Sequence, residues 1–215
     1  MSRRFTLETE DGLRLEAERD APDDPRASVV LCHPHPDMGG TMSAPLLIAL
    51  RDEFVQRGWA VVRFNFRGVG RSEGTASLGE KEVRDARAAI ASARTELPRA
   101  PLGIVGWSFG GAVAVRAAAE DDTLVGCVAI APSVQPRPGV SAGLPRADEL
   151  DLGVPLLFVC GSNDEVTPSE ATRDWLRPVE HAEFIEMRAA NHFFWGRYEQ
   201  LGSIATAWLE RRARL

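Results

Sequence analysis

Short apolar runs recur along the chain, and stretches with helical spacing of apolar positions separate them. Ala27–Cys32 is continuously apolar, the mark of a strand buried on both faces. Trp59–Phe66, Pro101–Val105, Leu124–Ala131, Pro155–Cys160 and Ala182–Met187 read as further strands. Between them, Pro45–Arg57, Glu80–Glu96, Gly111–Ala119 and Ser169–Leu176 read as helices, and a last helix is expected from about Phe194 to Arg211. In the second of these, Val83, Ala86, Ile90 and Ala93 recur at helical spacing. Ahead of the series, Phe5–Thr9 and Leu13–Glu18 alternate apolar and polar side chains around Asp11-Gly12, a hairpin signal. Strands alternating with helices predict an α/β fold, a mostly parallel sheet covered on both faces. In such sheets ligands bind beyond the carboxyl ends of the strands. Only Pro132–Gly153, rich in Pro and Gly, is irregular.

Length and composition narrow this picture little. The 215 residues suit one domain, residues 1–215, with length enough for a substantial core. A net charge of -6 argues against non-specific nucleic-acid binding, which needs a basic face. No apolar run is long enough to cross a bilayer, and the first eight residues lack a leader's apolar core. Cys32, Cys127 and Cys160 are odd in number and lie in or beside strand-like runs, so buried thiols are expected rather than disulfides. These features predict a cytoplasmic protein with no membrane partner. They leave monomer and homodimer equally open.

The chemistry concentrates at Gly106-Trp107-Ser108-Phe109-Gly110, set between a strand and a helix. A serine on a sharp strand-to-helix turn, with small residues two before and two after it, meets the needs of a nucleophile elbow. Ser108 then requires a base, and the base an orienting acid. Asp164 follows the strand ending at Cys160, with Glu165 beside it as the other acid. His192 follows the last strand, whereas His181 begins that strand at the opposite edge. The order Ser108, Asp164, His192 places all three at strand ends. An oxyanion would take one N–H from Phe109 and one from the loop after Cys32, where His35 stands between Pro34 and Pro36.

Two other patterns compete. His33, His35 and Asp37 resemble part of a metal-ligand motif, but Met38 stands where a further histidine would be needed. No metal and no cofactor is expected, and the His33 side chain reads instead as a loop pin. Gly68-Val69-Gly70-Arg71-Ser72-Glu73-Gly74 suggests a dinucleotide loop, yet its third glycine comes one place late and its helix begins too far on.

Together these residues resemble the α/β-hydrolase superfamily, and in particular its small, lidless bacterial serine hydrolases. The resemblance rests on His33-Pro34-His35-Pro36 with Gly39-Gly40-Thr41-Met42, and on Phe64-Asn65-Phe66-Arg67-Gly68-Val69-Gly70-Arg71-Ser72-Glu73-Gly74. The elbow Gly106–Gly111 and the Asp164 and His192 loops complete it. It implies an eight-stranded sheet with the second strand antiparallel, a Ser108-His192-Asp164 triad and esterase-type activity on simple acyl esters. Pro132–Gly153 is too short for the lid domain that many relatives carry, so an open pocket is expected.

The expected partner is therefore a small-molecule acyl substrate, an ester or a thioester. Trp107, Met38, Phe193 and Phe194 flank the reacting groups in sequence and are candidates for lining an acyl pocket. A serine peptidase or amidase acting on short peptides is the alternative within enzymes. A non-catalytic binding protein on the same fold is the alternative outside them. Neither the natural acyl group nor a gating role for residues 132–153 is legible.

Overall fold

A computed structural model describes residues 2–215. Eight strands form one sheet in the order β1-β2-β4-β3-β5-β6-β7-β8, where β1 is Ser2–Glu8, β2 Arg14–Asp20, β3 Ala27–Cys32, β4 Trp59–Phe64, β5 Leu102–Trp107, β6 Gly126–Ile130, β7 Leu156–Gly161 and β8 Ala182–Met187. β2 pairs antiparallel with both β1 and β4, and every other pair is parallel. The helices are α1 (Pro45–Gln56), α2 (Glu82–Glu96), α3 (Phe109–Ala119), α4 (Ser169–Leu176) and α5 (Tyr198–Ala213). This is the eight-stranded α/β-hydrolase sheet, second strand antiparallel, that the motifs imply.

The continuous apolar runs are explained by two cores. Along β3, Val30 and Cys32 face α2 and α3, while Ala27, Val29 and Leu31 face α1 and α5. Every residue of β3, β4, β5, β6 and β7 is buried. Because side chains alternate faces along a strand, a sheet covered on both sides needs apolar residues at successive positions. β8, at the edge, keeps only Met187 buried and carries Glu183 and Glu186, which leaves its ladder less attractive to another strand.

Strand and helix ends shift by a few residues from the sequence reading, with one larger difference. α5 starts at Tyr198, not near Phe194. Phe194 is held at φ 52°, in the left-handed region, so the chain turns there before the helix can begin.

Arg67 fixes the loop after β4. Its side chain is 2% exposed, and its Nη2 and Nε donate to both oxygens of Asp85 while Nη1 and Nη2 reach Asp11. The loop with three glycines after β4 is therefore a turn pinned by the charge pairs of a buried guanidinium. Ser72 Oγ bonds back to the Asn65 carbonyl, and Asn65 Oδ1 accepts from Met42 N–H. That last bond ties the β4 loop to the loop after β3.

Residues 132–153 contain no lid element. They hold a one-turn 3-10 helix, Ala147–Glu149, and an isolated bridge between Arg137 and Ser141. His35 Nε2, Arg116 and Trp175 donate to the carbonyls of Val140, Gly143 and Pro145, and Ala142 N–H donates to the Leu78 carbonyl.

Candidate active site

The turn between β5 and α3 places Ser108 at φ 57°, ψ -116°. Such a backbone costs on the order of 1–3 kcal/mol and persists only where neighbours impose it. Three bonds do so here. Ser108 N–H donates to the Ile130 carbonyl at 2.8 Å, and the Ser108 carbonyl accepts from Ala112 N–H at 3.1 Å and Ser133 N–H at 3.2 Å. The flanking glycines answer to steric need. A Cβ on Gly106 would lie 2.1 Å from the Gly110 carbonyl oxygen, and one on Gly110 would lie 2.3 Å from that of His33. The second approach also brings the β3 loop against the start of α3.

Asp164 and His192 converge on Ser108 from two other strand ends. His192 Nε2 lies 3.0 Å from Ser108 Oγ, and His192 Nδ1 lies 2.8 Å from Asp164 Oδ2. All three residues are buried, yet each retains 6–8% exposure. The acid and histidine loops are stitched together by Asn163 N–H to the Ala190 carbonyl and Ser162 N–H to the Met187 carbonyl. Glu165, the neighbouring acid, is exposed and does not join the line.

Asp164 is arranged to stay ionised. Burial on its own would raise its carboxyl, but hydrogen bonds from His192 and from Thr167 outweigh that and hold it below the usual carboxylate range. Its Oδ1 accepts from Val166 and Thr167 N–H, at 2.9 and 2.8 Å. Oδ2 takes the Thr167 hydroxyl at 3.0 Å besides His192.

Thr167 escaped the sequence reading. Its Oγ1 lies within 3.2 Å of the Ala131 carbonyl, Asp164 Oδ2 and His192 Nδ1 at once. The only sequence signal was its place in Asp164-Glu165-Val166-Thr167-Pro168, three residues after the acid and just before a helix.

Among the described residues, neither the His35 nor the Phe109 N–H hydrogen bonds to another protein group. Their side chains meet edge to face, ring centroids 5.2 Å apart. The one-turn helix Pro36–Met38 and the bond from Asp37 N–H to His35 Nδ1 hold the His35 backbone in place. Two unpaired amides therefore sit on adjoining turns beside the elbow.

His33 lies deeper. Its Nδ1 bonds the Pro34 carbonyl at 2.7 Å, and its Nε2 accepts from Phe66 N–H at 3.0 Å. Burial is the main force lowering its pKa to about 4, so the ring is neutral at pH 7 and both nitrogens are committed to backbone. The side chain is the loop pin expected of it. Among the described residues no group of three His, Cys, Asp or Glu side chains is placed to hold a metal. The three cysteines are free and buried, and burial pushes the Cys160 thiol up to about 12.

The four aromatic and methionine candidates divide. Met38 and Phe193 are exposed, at 66% and 41%. Trp107 is buried, and its indole N–H donates to the His192 carbonyl at 3.1 Å, so it steadies the histidine backbone. Phe194 has no exposed surface and packs in the α1–α5 core. A pocket-lining place for Phe194 is corrected here: the left-handed turn points its ring into the protein.

A family model described as "Serine aminopeptidase, S33" matches residues 23–150. An uncharacterized protein of Rickettsia prowazekii is 27% identical over 192 residues, 84% of this chain and 78% of that protein. A solved lidless a/b serine hydrolase of Xanthomonas campestris is 28% identical, covering 99% of this chain and 94% of that one, with a TM-score of 0.79. A putative alpha/beta hydrolase of Agrobacterium tumefaciens is 25% identical, covering 99% and 97% of the two chains, with a TM-score of 0.84. Among the described residues no helix is long and apolar enough to cross a membrane. With the matched model spanning more than half its length, this chain belongs to the S33 family of α/β serine hydrolases.

Proposed function

We propose that the protein cleaves small acyl esters or thioesters through a Ser108-bound acyl intermediate. The unbroken hydrogen-bonded line from Ser108 Oγ through His192 to Asp164 Oδ2 carries this reading. His192 removes the Ser108 proton as Oγ attacks the carbonyl carbon, and Asp164 stabilises the imidazolium that forms. The free amides of His35 and Phe109 receive the oxyanion, the latter at the positive end of α3. His192 gives its proton to the leaving group, and a water activated by the same ring releases the acid.

The open rim, without a lid over residues 132–153, suits a small substrate that enters from solution. A fluorophosphonate should label Ser108 in the wild type and not in Ser108→Ala. The wild type should also hydrolyse p-nitrophenyl acetate. Wild type that neither labels nor turns over would leave a hydrolase fold used for binding alone.

The family description supports a second reading, release of amino-terminal residues from short peptides. Hydrolysis of aminoacyl p-nitroanilides at rates matching the esters would favour it over the esterase.

A further inference from the structure

Five large apolar side chains are exposed among the described residues: Met38, Leu78, Phe193, Trp195 and Leu215. Two of them, Phe193 and Trp195, lie within three residues after His192 and stack on each other. The Phe193 and Trp195 rings lie 5.0 Å apart with planes 12° apart. Phe193 also meets His192 edge to face at 5.5 Å, and Trp107 at 6.2 Å. A row of rings thus climbs out of the site, from Trp107 at 6% exposure through Phe193 at 41% to Trp195 at 68%.

The backbone spends strain to present this pair. Phe194 is held at φ 52° with its ring fully buried, its N–H donating to the Asn191 carbonyl and its carbonyl accepting from Arg197 N–H. That anchored turn sets the rings of Phe193 and Trp195 together outside. Trp195, two-thirds exposed, gains little from burial where it stands. An ordered, solvent-facing aromatic wall beside a reacting group is a place for a ligand.

The direction of the chemistry says which half of an ester it meets. The oxyanion points to the free amides of His35 and Phe109, and the leaving oxygen must reach His192 Nε2 to take its proton. The wall is continuous with His192, so it borders the leaving group. Resting on the esterase reading above, we propose that Phe193 and Trp195 form a leaving-group subsite for a planar aromatic alcohol. In the step it serves, the Ser108 Oγ–carbon bond forms and the ester carbon–oxygen bond breaks. The Ser108 proton passes through His192 to the leaving oxygen, and an arylmethanol or phenol departs.

Benzyl acetate and cyclohexylmethyl acetate test this, because they share acyl group and carbon count, have leaving groups of similar basicity, and differ in planarity. Wild-type kcat/KM should favour the benzyl ester about three- to tenfold, the range of an aromatic pair beyond simple burial. Trp195→Ala should bring the ratio close to one, and Trp195→Phe should restore most of it. A wild-type ratio near one, or a ratio unchanged in a Trp195→Ala protein that still labels with fluorophosphonate, would overturn the subsite. Labelling needs no ring, so labelled Ser108 with a ratio near one removes the subsite and leaves the esterase standing. A wild type that neither labels nor cleaves either ester removes both.

Discussion

The buried His33 ring makes the stability of this protein depend on pH in a way that can be separated from its carboxylates. In the folded chain its pKa falls from the ordinary histidine value of 6.5 to about 4, because burial disfavours the charged ring. The unfolded chain therefore binds a proton that the folded chain refuses, and stability rises with pH between those values. His33's full contribution is present above pH 6.5 and is lost progressively as pH falls toward 4. The fall from 6.5 to about 4 corresponds to about 3 kcal/mol in total. Between pH 7.5 and pH 5 the same relation gives a loss of about 2 kcal/mol.

His33→Gln isolates this component. A glutamine oxygen can accept from Phe66 N–H and its amide can donate toward the Pro34 carbonyl, replacing both ring bonds without a titrating group. Urea unfolding at pH 7.5 and pH 5 gives the loss for each protein, and the wild type should lose about 2 kcal/mol more than the variant. Carboxylates titrate in both proteins and cancel in the comparison. Equal losses in the two would show that His33 titrates normally, and would refute the assignment of both its nitrogens to backbone.

Two further outcomes follow from the site. Thr167→Val keeps the side chain's shape and removes the hydroxyl shared by Asp164 and His192. A hydrogen bond to a charged group is worth about 1.5–3 kcal/mol, so kcat on p-nitrophenyl acetate should fall about tenfold or more with KM little changed, and Thr167→Ser should recover it. An unchanged kcat would reduce the hydroxyl to a loop tether through the Ala131 carbonyl. Phe194→Ala should destabilise by about 3–5 kcal/mol in urea unfolding, the cost of emptying an aromatic core position. A change below about 1 kcal/mol would place its ring outside the core.

Runs such as Ala27–Cys32 were legible because burial on both faces leaves few polar positions, here Ser28 alone, and the Ser108, Asp164 and His192 loops because they end such runs. Position at a strand end is encoded along the chain. Contact between loops is not, and there the reading thinned. Thr167 touches Asp164, His192 and the Ala131 carbonyl only because three strand ends lie side by side in the sheet. Phe193 and Phe194 are adjacent and identical, so composition cannot separate the exposed ring from the buried one. A single left-handed dihedral at Phe194 does, turning one ring into the core and bringing the other against His192 and Trp195. That conformation disfavours any bulky side chain, and no pattern of apolar positions announces it. The proposed triad therefore lies in the strand-end loops, while the shape of the aromatic rim beside it is set by a backbone turn three residues long.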